Sequence, residues 1–130
     1  MRHLLWLLPF IAAPATAEPA RDMLARYTAE AGSGFSPSAD RGRQFYHRQF
    51  GASADMPACA SCHTDRPSVQ GQHAITGKRI APLAPGANPE RFTRADKTEK
   101  WFRRNCKEVV GRECTAAEKG DVLAFLLSLK

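Results

Sequence analysis

The sequence predicts an all-α domain of about four helices, on three observations. No stretch alternates apolar and polar residues in the way a half-buried strand does. Thr93/Asp96 and Thr115/Glu118 each place an acidic residue three positions after a hydroxyl, and the second pair leads into Val122, Phe125, Leu126 and Leu129 at helical core spacing. Residues 59–63 read Cys-Ala-Ser-Cys-His, with no strand–helix–strand setting around them.

Taken from its start, the chain opens on a secretory signal. Arg2 is followed by an apolar run over 4–13, and Ala15-Thr16-Ala17 supplies a small-residue cleavage site, so residues 1–17 are expected to be removed after Ala17. Residues 18–130 then form one domain, exported to a periplasm. No later segment approaches the length of a membrane span. Residues 22–27 suggest a short helix, which Gly32-Ser33-Gly34 and Pro37 end. Ser38 is a plausible N-cap for a helix running to Phe50, with Gly42, Phe45, Tyr46 and Gln49 on one face. A glycine beside two aromatic residues lets another helix cross closely, and His47 reads as an exposed helix residue. Residues 64–92 are rich in Pro and Gly and read as a loop wrapped over the domain's centre. A further helix is expected from Thr93, as N-cap, to about Glu108. The last begins at Thr115.

The whole chain carries 19 Lys+Arg against 13 Asp+Glu, and the signal holds one of the basic residues. The moderate basic excess left over suits a mixed-charge solvated surface and permits an acidic protein partner. No basic stripe interleaved with aromatic residues points to nucleic acid.

The Cys-x-x-C-H spacing carries the chemistry. Thiols three positions apart can both form thioethers with the vinyl groups of one porphyrin, and the histidine that follows is placed against the iron. Cys59 and Cys62 are therefore read as the attachment points of one covalent haem c, with His63 as its proximal ligand. A closed zinc site would need a second pair at matching spacing, and seven residues separate Cys106 from Cys114.

The other axial position is less constrained. No Met follows position 56, and Met56 lies too close to Cys59 to cross to the far face with ease. His73, a Lys, a Cys, Asn105 or an open site remain. On a helical wheel Thr98, Trp101, Phe102 and Val109 share a face, and Asn105 falls within it. A buried amide without partners costs about 1–3 kcal/mol, so Asn105 must bond either to a neighbouring backbone group or to the iron. His73 lies ten residues beyond His63, on a short tether. Cys106 and Cys114 are spare thiols in an oxidising compartment and are expected to pair, free thiols being the alternative.

A set of local motifs narrows the reading further. The run from Gly77 to Pro89, Arg91-Phe92-Thr93, Glu99-Lys100-Trp101-x-x-Arg104-Asn105-Cys106 and Gly111-Arg112-x-Cys114-Thr115 resembles the sphaeroides haem protein family, within the class I cytochrome c-like fold. The resemblance spans about Leu24 to Leu129. It implies a high-spin haem with His63 on one side and Asn105 as sixth ligand in the ferric state, and a disulfide between Cys106 and Cys114. It also implies that Asn105 leaves on reduction, opening the iron to a small diatomic ligand, oxygen or nitric oxide. Implied redox partners are a dihaem cytochrome c and a membrane b-type cytochrome. Class I relatives pair the ligating His with a proline carbonyl; Pro82 is the candidate here and Pro85 the fallback. Trp101 and Phe102 are expected to border the haem pocket. Two functional classes follow: a haem protein whose iron opens on reduction and binds or turns over oxygen or nitric oxide, and a six-coordinate electron carrier.

Overall fold

A computed structural model describes residues 19–130, so the expected signal lies outside the described residues. Five helices and one short ladder follow in order: α1 (Pro19–Ala31), α2 (Ala39–His47), α3 (Ala60–His63), β1 (Gly71–Gln72), β2 (Arg79–Ile80), α4 (Ala95–Val109) and α5 (Ala116–Ser128). The fold is all-α in class.

Helix α1 is longer than the six residues expected. Pro19 suits a first helical position, Asp22 sits in the first turn, and Ala20, Met23 and Tyr27 bury one stripe. Gly32, at φ +99°, ends it. Helix α2 starts as the sequence suggests: Ser38 Oγ accepts from the Arg41 N–H at 3.2 Å. It stops at His47, short of Phe50, so Gln49 lies beyond the helix and is exposed. Gly42, Phe45 and Tyr46 are its buried face. A Cβ at Gly42 would overlap the Asp121 carbonyl, which is the close helix crossing that a glycine permits.

Helix α5 carries the expected capping box in full: Thr115 N–H donates to Glu118 Oε2 at 2.9 Å and Glu118 N–H to Thr115 Oγ1 at 3.1 Å. Helix α4 does not begin on Thr93. That hydroxyl donates to the Glu90 carbonyl at 2.9 Å, closing the preceding turn, and the N-cap falls on Arg94 without a side-chain cap. The antiparallel pair β1–β2, with Gly71 opposite Ile80 and Gln72 opposite Arg79, was not expected. Two residues a side are too few to show a period.

Two buried clusters fill the interior. One holds Phe45, Tyr46, Cys106, Cys114, Val122, Phe125 and Leu126; the other holds Met23, Tyr27 and Leu123. Phe92 and Phe102 pack against both. The loop between α3 and α4 is tied back by Leu83 and Ala84, whose N–H groups donate to the Pro67 carbonyl at 2.8 and 3.0 Å.

Candidate haem site

Helix α3 is a single turn built on the motif. Cys59 is its N-cap, and its carbonyl accepts from the His63 N–H at 3.1 Å. Ser61 Oγ accepts from the Ala58 N–H at 3.1 Å and fixes the turn from in front. Cys59 and Cys62 therefore sit one helical turn apart, both half-buried. Cys59 packs against the cluster that contains Tyr46, Phe125 and the 106/114 cysteines, and burial pushes its thiol up to about 11. Cys62 Sγ accepts from the Ala74 N–H at 3.3 Å. Gly71 lies so close that a Cβ there would overlap the Cys62 carbonyl, so β1 presses directly on the motif turn.

His63 is held neutral. Burial, and then the nearby Arg91 guanidinium, push its imidazole down to about 4, which leaves the form that ligates a metal. Its ring makes no hydrogen bond among the described residues. The Pro82 carbonyl, expected to accept from it, takes Arg91 Nε at 2.9 Å and Asn88 Nδ2 at 3.3 Å instead. Both lone pairs of that oxygen are thereby used, one by a charged donor. Arg91 Nη2 also donates to the Ala81 carbonyl at 2.6 Å, which pins the loop beside His63. The His63–Pro82 contact, and its Pro85 fallback, do not occur among the described residues.

On α4 the buried row is Thr98, Cys106 and Val109, with Phe102 half-buried between Tyr27 and Phe92 at ring distances of 5.7 and 6.4 Å. Trp101 lies about 100° round the helix from Phe102. It is 42 % exposed, with the Arg104 guanidinium 5.6 Å over its ring. The helical-wheel face thus holds for Thr98, Phe102 and Val109 and loses Trp101 at its edge. Asn105 sits between that edge and the buried row, half-buried, and its amide makes no hydrogen bond among the described residues. The sulfurs of Cys106 and Cys114 are joined, with Cα atoms 5.7 Å apart. His73 is half-buried and its Nδ1 accepts from the Ile75 and Thr76 N–H groups at 3.2 Å each, which fixes the ring within its own turn. His47 is exposed on α2, its Nδ1 bonded to the Arg43 carbonyl at 2.9 Å.

These residues fit a covalent haem. Two thiols share one turn, and a neutral imidazole free of hydrogen bonds among the described residues follows them. Half-buried apolar groups, Phe50, Leu83, Phe92 and Phe102, pack on the same cluster as Cys59. Sequence reasoning did not single out Arg91. It lies in an aperiodic loop, and only its place in a family motif marked it.

Comparison with known proteins agrees. Residues 32–126 match a family described as a domain of unknown function, DUF1924. The cytochrome c-type protein SHP of Cereibacter sphaeroides is 45 % identical over 130 residues, which cover 97 % of this chain and 98 % of that protein. The structure of oxidised SHP, described as an oxygen-binding cytochrome c, matches with a TM-score of 0.78 at 44 % identity, covering 84 % of this chain and 96 % of that one. Oxidised cytochrome c'' of Methylophilus methylotrophus gives 0.78 at 38 % identity, covering 86 % and 95 %. Its solution structure, presented as giving insights into haem-ligand detachment, gives 0.70 at 38 % identity, covering 84 % and 92 %. With its single Cys-x-x-Cys-His turn and this kinship, the chain belongs to the sphaeroides haem protein family and is a class I-like c-type cytochrome carrying one haem c bound through Cys59 and Cys62.

Proposed function

We propose that this protein is an exported haem protein in which Asn105 caps the ferric iron and leaves on reduction, so that a diatomic ligand, oxygen or nitric oxide, can bind. When bound, the haem would supply a redox-active iron. His63 would hold one of its ligand positions as a neutral imidazole. The observation that carries the reading for the other is Asn105. A half-buried amide beside an apolar row, with no hydrogen bond among the described residues, has its oxygen free for a ligand role.

A neutral amide oxygen is a hard, weak-field donor that suits ferric iron better than ferrous. The 106/114 bridge anchors the end of α4 immediately after Asn105, and Phe102 is wedged between Tyr27 and Phe92. The helix therefore stays in place when the bond weakens, and the side chain turns away alone. Its amide then keeps two N–H donors for an incoming ligand. His73 is the poorer candidate, because its ring is already engaged by Ile75 and Thr76. The oxygen-binding description of SHP and the ligand-detachment description of cytochrome c'' both support a releasable ligand in this family. Electrons are expected from periplasmic or membrane redox partners, a dihaem cytochrome c or a b-type cytochrome.

Absorption spectra of both oxidation states, with and without carbon monoxide, test the proposal. The ferric protein should be high-spin and the ferrous protein should bind carbon monoxide. Asn105→Ala should keep the haem attached while changing the ferric spectrum and the carbon monoxide association rate. A ferrous spectrum that is sharply low-spin, six-coordinate and indifferent to carbon monoxide would leave only the electron-carrier reading.

A further inference from the structure

We propose that Tyr46 is a positioning residue for His63, acting through a strained turn at Thr64. The proposal rests on His63 as the proximal ligand. It assigns a role to a hydroxyl that the haem site itself does not use.

Thr64 is the residue directly after His63 and the C-cap of α3. Its backbone, at φ 64° and ψ 169°, lies in a region that is essentially reserved for glycine. A threonine persists there only where surrounding bonds over-determine it, and several do. Thr64 Oγ1 donates to the Arg66 carbonyl at 2.9 Å and accepts from the Arg66 N–H at 3.1 Å, which ties the side chain into the outgoing loop. The Thr64 carbonyl accepts from the Tyr46 hydroxyl at 2.7 Å. That donor comes from a different helix, 18 residues away.

Tyr46 is a rigid anchor. Its side chain is fully buried, with its ring 5.5 Å from that of Phe125, and α2 is itself locked against α5 at Gly42. The hydroxyl thus carries the position of the α2/α5 frame to the peptide that follows the ligating histidine. On the other side of the same turn, Gly71 abuts the Cys62 carbonyl and the His63 Cα. The motif turn is clamped between β1 and Tyr46. If the hydroxyl is removed, φ at Thr64 can relax toward an ordinary value, and this relaxation rotates the His63–Thr64 peptide. The imidazole would then change its tilt and its distance from the haem plane.

The test is Tyr46→Phe in the haem-loaded protein, read by the iron–histidine stretching band of the ferrous form in resonance Raman spectra. Carbon monoxide dissociation provides the second readout. The band should shift and dissociation should change several-fold, while the thioether-bound haem remains. Thr64→Gly removes the need for the clamp, so Tyr46→Phe should move the band less in that background. An unmoved band in a folded, loaded Tyr46→Phe protein overturns the proposal, even if stability falls. If Tyr46→Phe alone does not load haem, the double variant should. Failure of both would place Tyr46 in the core alone and overturn the proposal too. Absence of the band from a ferrous wild type that is low-spin and six-coordinate would instead overturn the release of Asn105, and its absence from a five-coordinate ferrous wild type would overturn His63 as ligand.

Discussion

Glu99 shows how a single residue ties three helices together. Its carboxylate accepts from the Tyr27 hydroxyl of α1 at 2.5 Å and from Lys119 Nζ of α5 at 2.9 Å, while Glu99 itself belongs to α4. Lys119 Nζ lies 5.4 Å from the centre of the Tyr27 ring and 5.9 Å from that of Phe102. Burial opposes the charge on Glu99, but the bonds from Tyr27 and Lys119 outweigh it and hold the carboxyl below its ordinary value. A carboxyl whose pKa is lower in the folded state adds stability that is present above the unfolded value and lost as pH falls through the folded one. The melting temperature should therefore fall as the pH drops below about 4.5, and Glu99→Gln should flatten that slope. Thermal melts of both proteins at several pH values check this; parallel curves would contradict it. At neutral pH, Tyr27→Phe should cost roughly 1.5–3 kcal/mol, the usual worth of a hydrogen bond to a charged group. At this scale the haem-attachment residues were legible because covalent chemistry fixes their spacing. Asn105 stood out as a polar residue on an apolar stripe. Arg91, Glu99 and the Tyr46–Thr64 bond were not legible, because each joins distant segments and no local pattern records that pairing.

Among the elements, legibility followed local chemistry. The α5 box and the Ser38 cap could be read because cap and partner are three residues apart. The Gly42 crossing could be read because a glycine inside an amphipathic helix needs a packing reason. The start of α4 moved by one residue because Thr93 bonds backwards to Glu90, a choice set by the loop's path. Thr64 and Phe92, at φ 64° and 61°, bracket that loop in conformations costing about 1–3 kcal/mol each, and no composition rule predicts such strain in non-glycine residues. The end of α4 depends on the 106/114 bridge. Closing so short a segment stabilises by about 2–3 kcal/mol in the loop-entropy model. With Cys59 and Cys62 in thioethers, the denatured, unreduced protein should show no titratable thiol. Reduction should release two thiols and lower the melting temperature. Two thiols titrating before reduction would remove the anchor on which the movement of Asn105 alone depends.

At the scale of the whole molecule, the question is what makes one cooperative unit of two small clusters and a long loop. Helices α1, α2 and α5 brace one another through Leu123, the Gly42 crossing and Arg41, which donates to both Asp121 carboxylate oxygens at 2.8 Å. Residues 64–92 have no such frame. Their regular structure is a two-residue ladder, and much of their anchoring is to each other or to Pro67. Ordering a backbone costs about 1–2 kcal/mol per residue, so so few bonds cannot hold a loop of this length by themselves. What can offset that cost is a large apolar plate fixed to the motif turn, against which half-buried apolar side chains such as Leu83, Phe92 and Phe102 would bury more of their surface. The covalent haem is then a structural centre as well as a redox group. The purified protein should carry one haem mass that survives acid–acetone extraction. Cys59→Ala/Cys62→Ala, which cannot hold the haem covalently, should lose the single sharp thermal transition, with fast amide exchange across 64–92 and the last protection confined to the α2/α5 crossing. A double variant that melts as sharply and at the same temperature as the loaded protein would show that the helices alone order the loop.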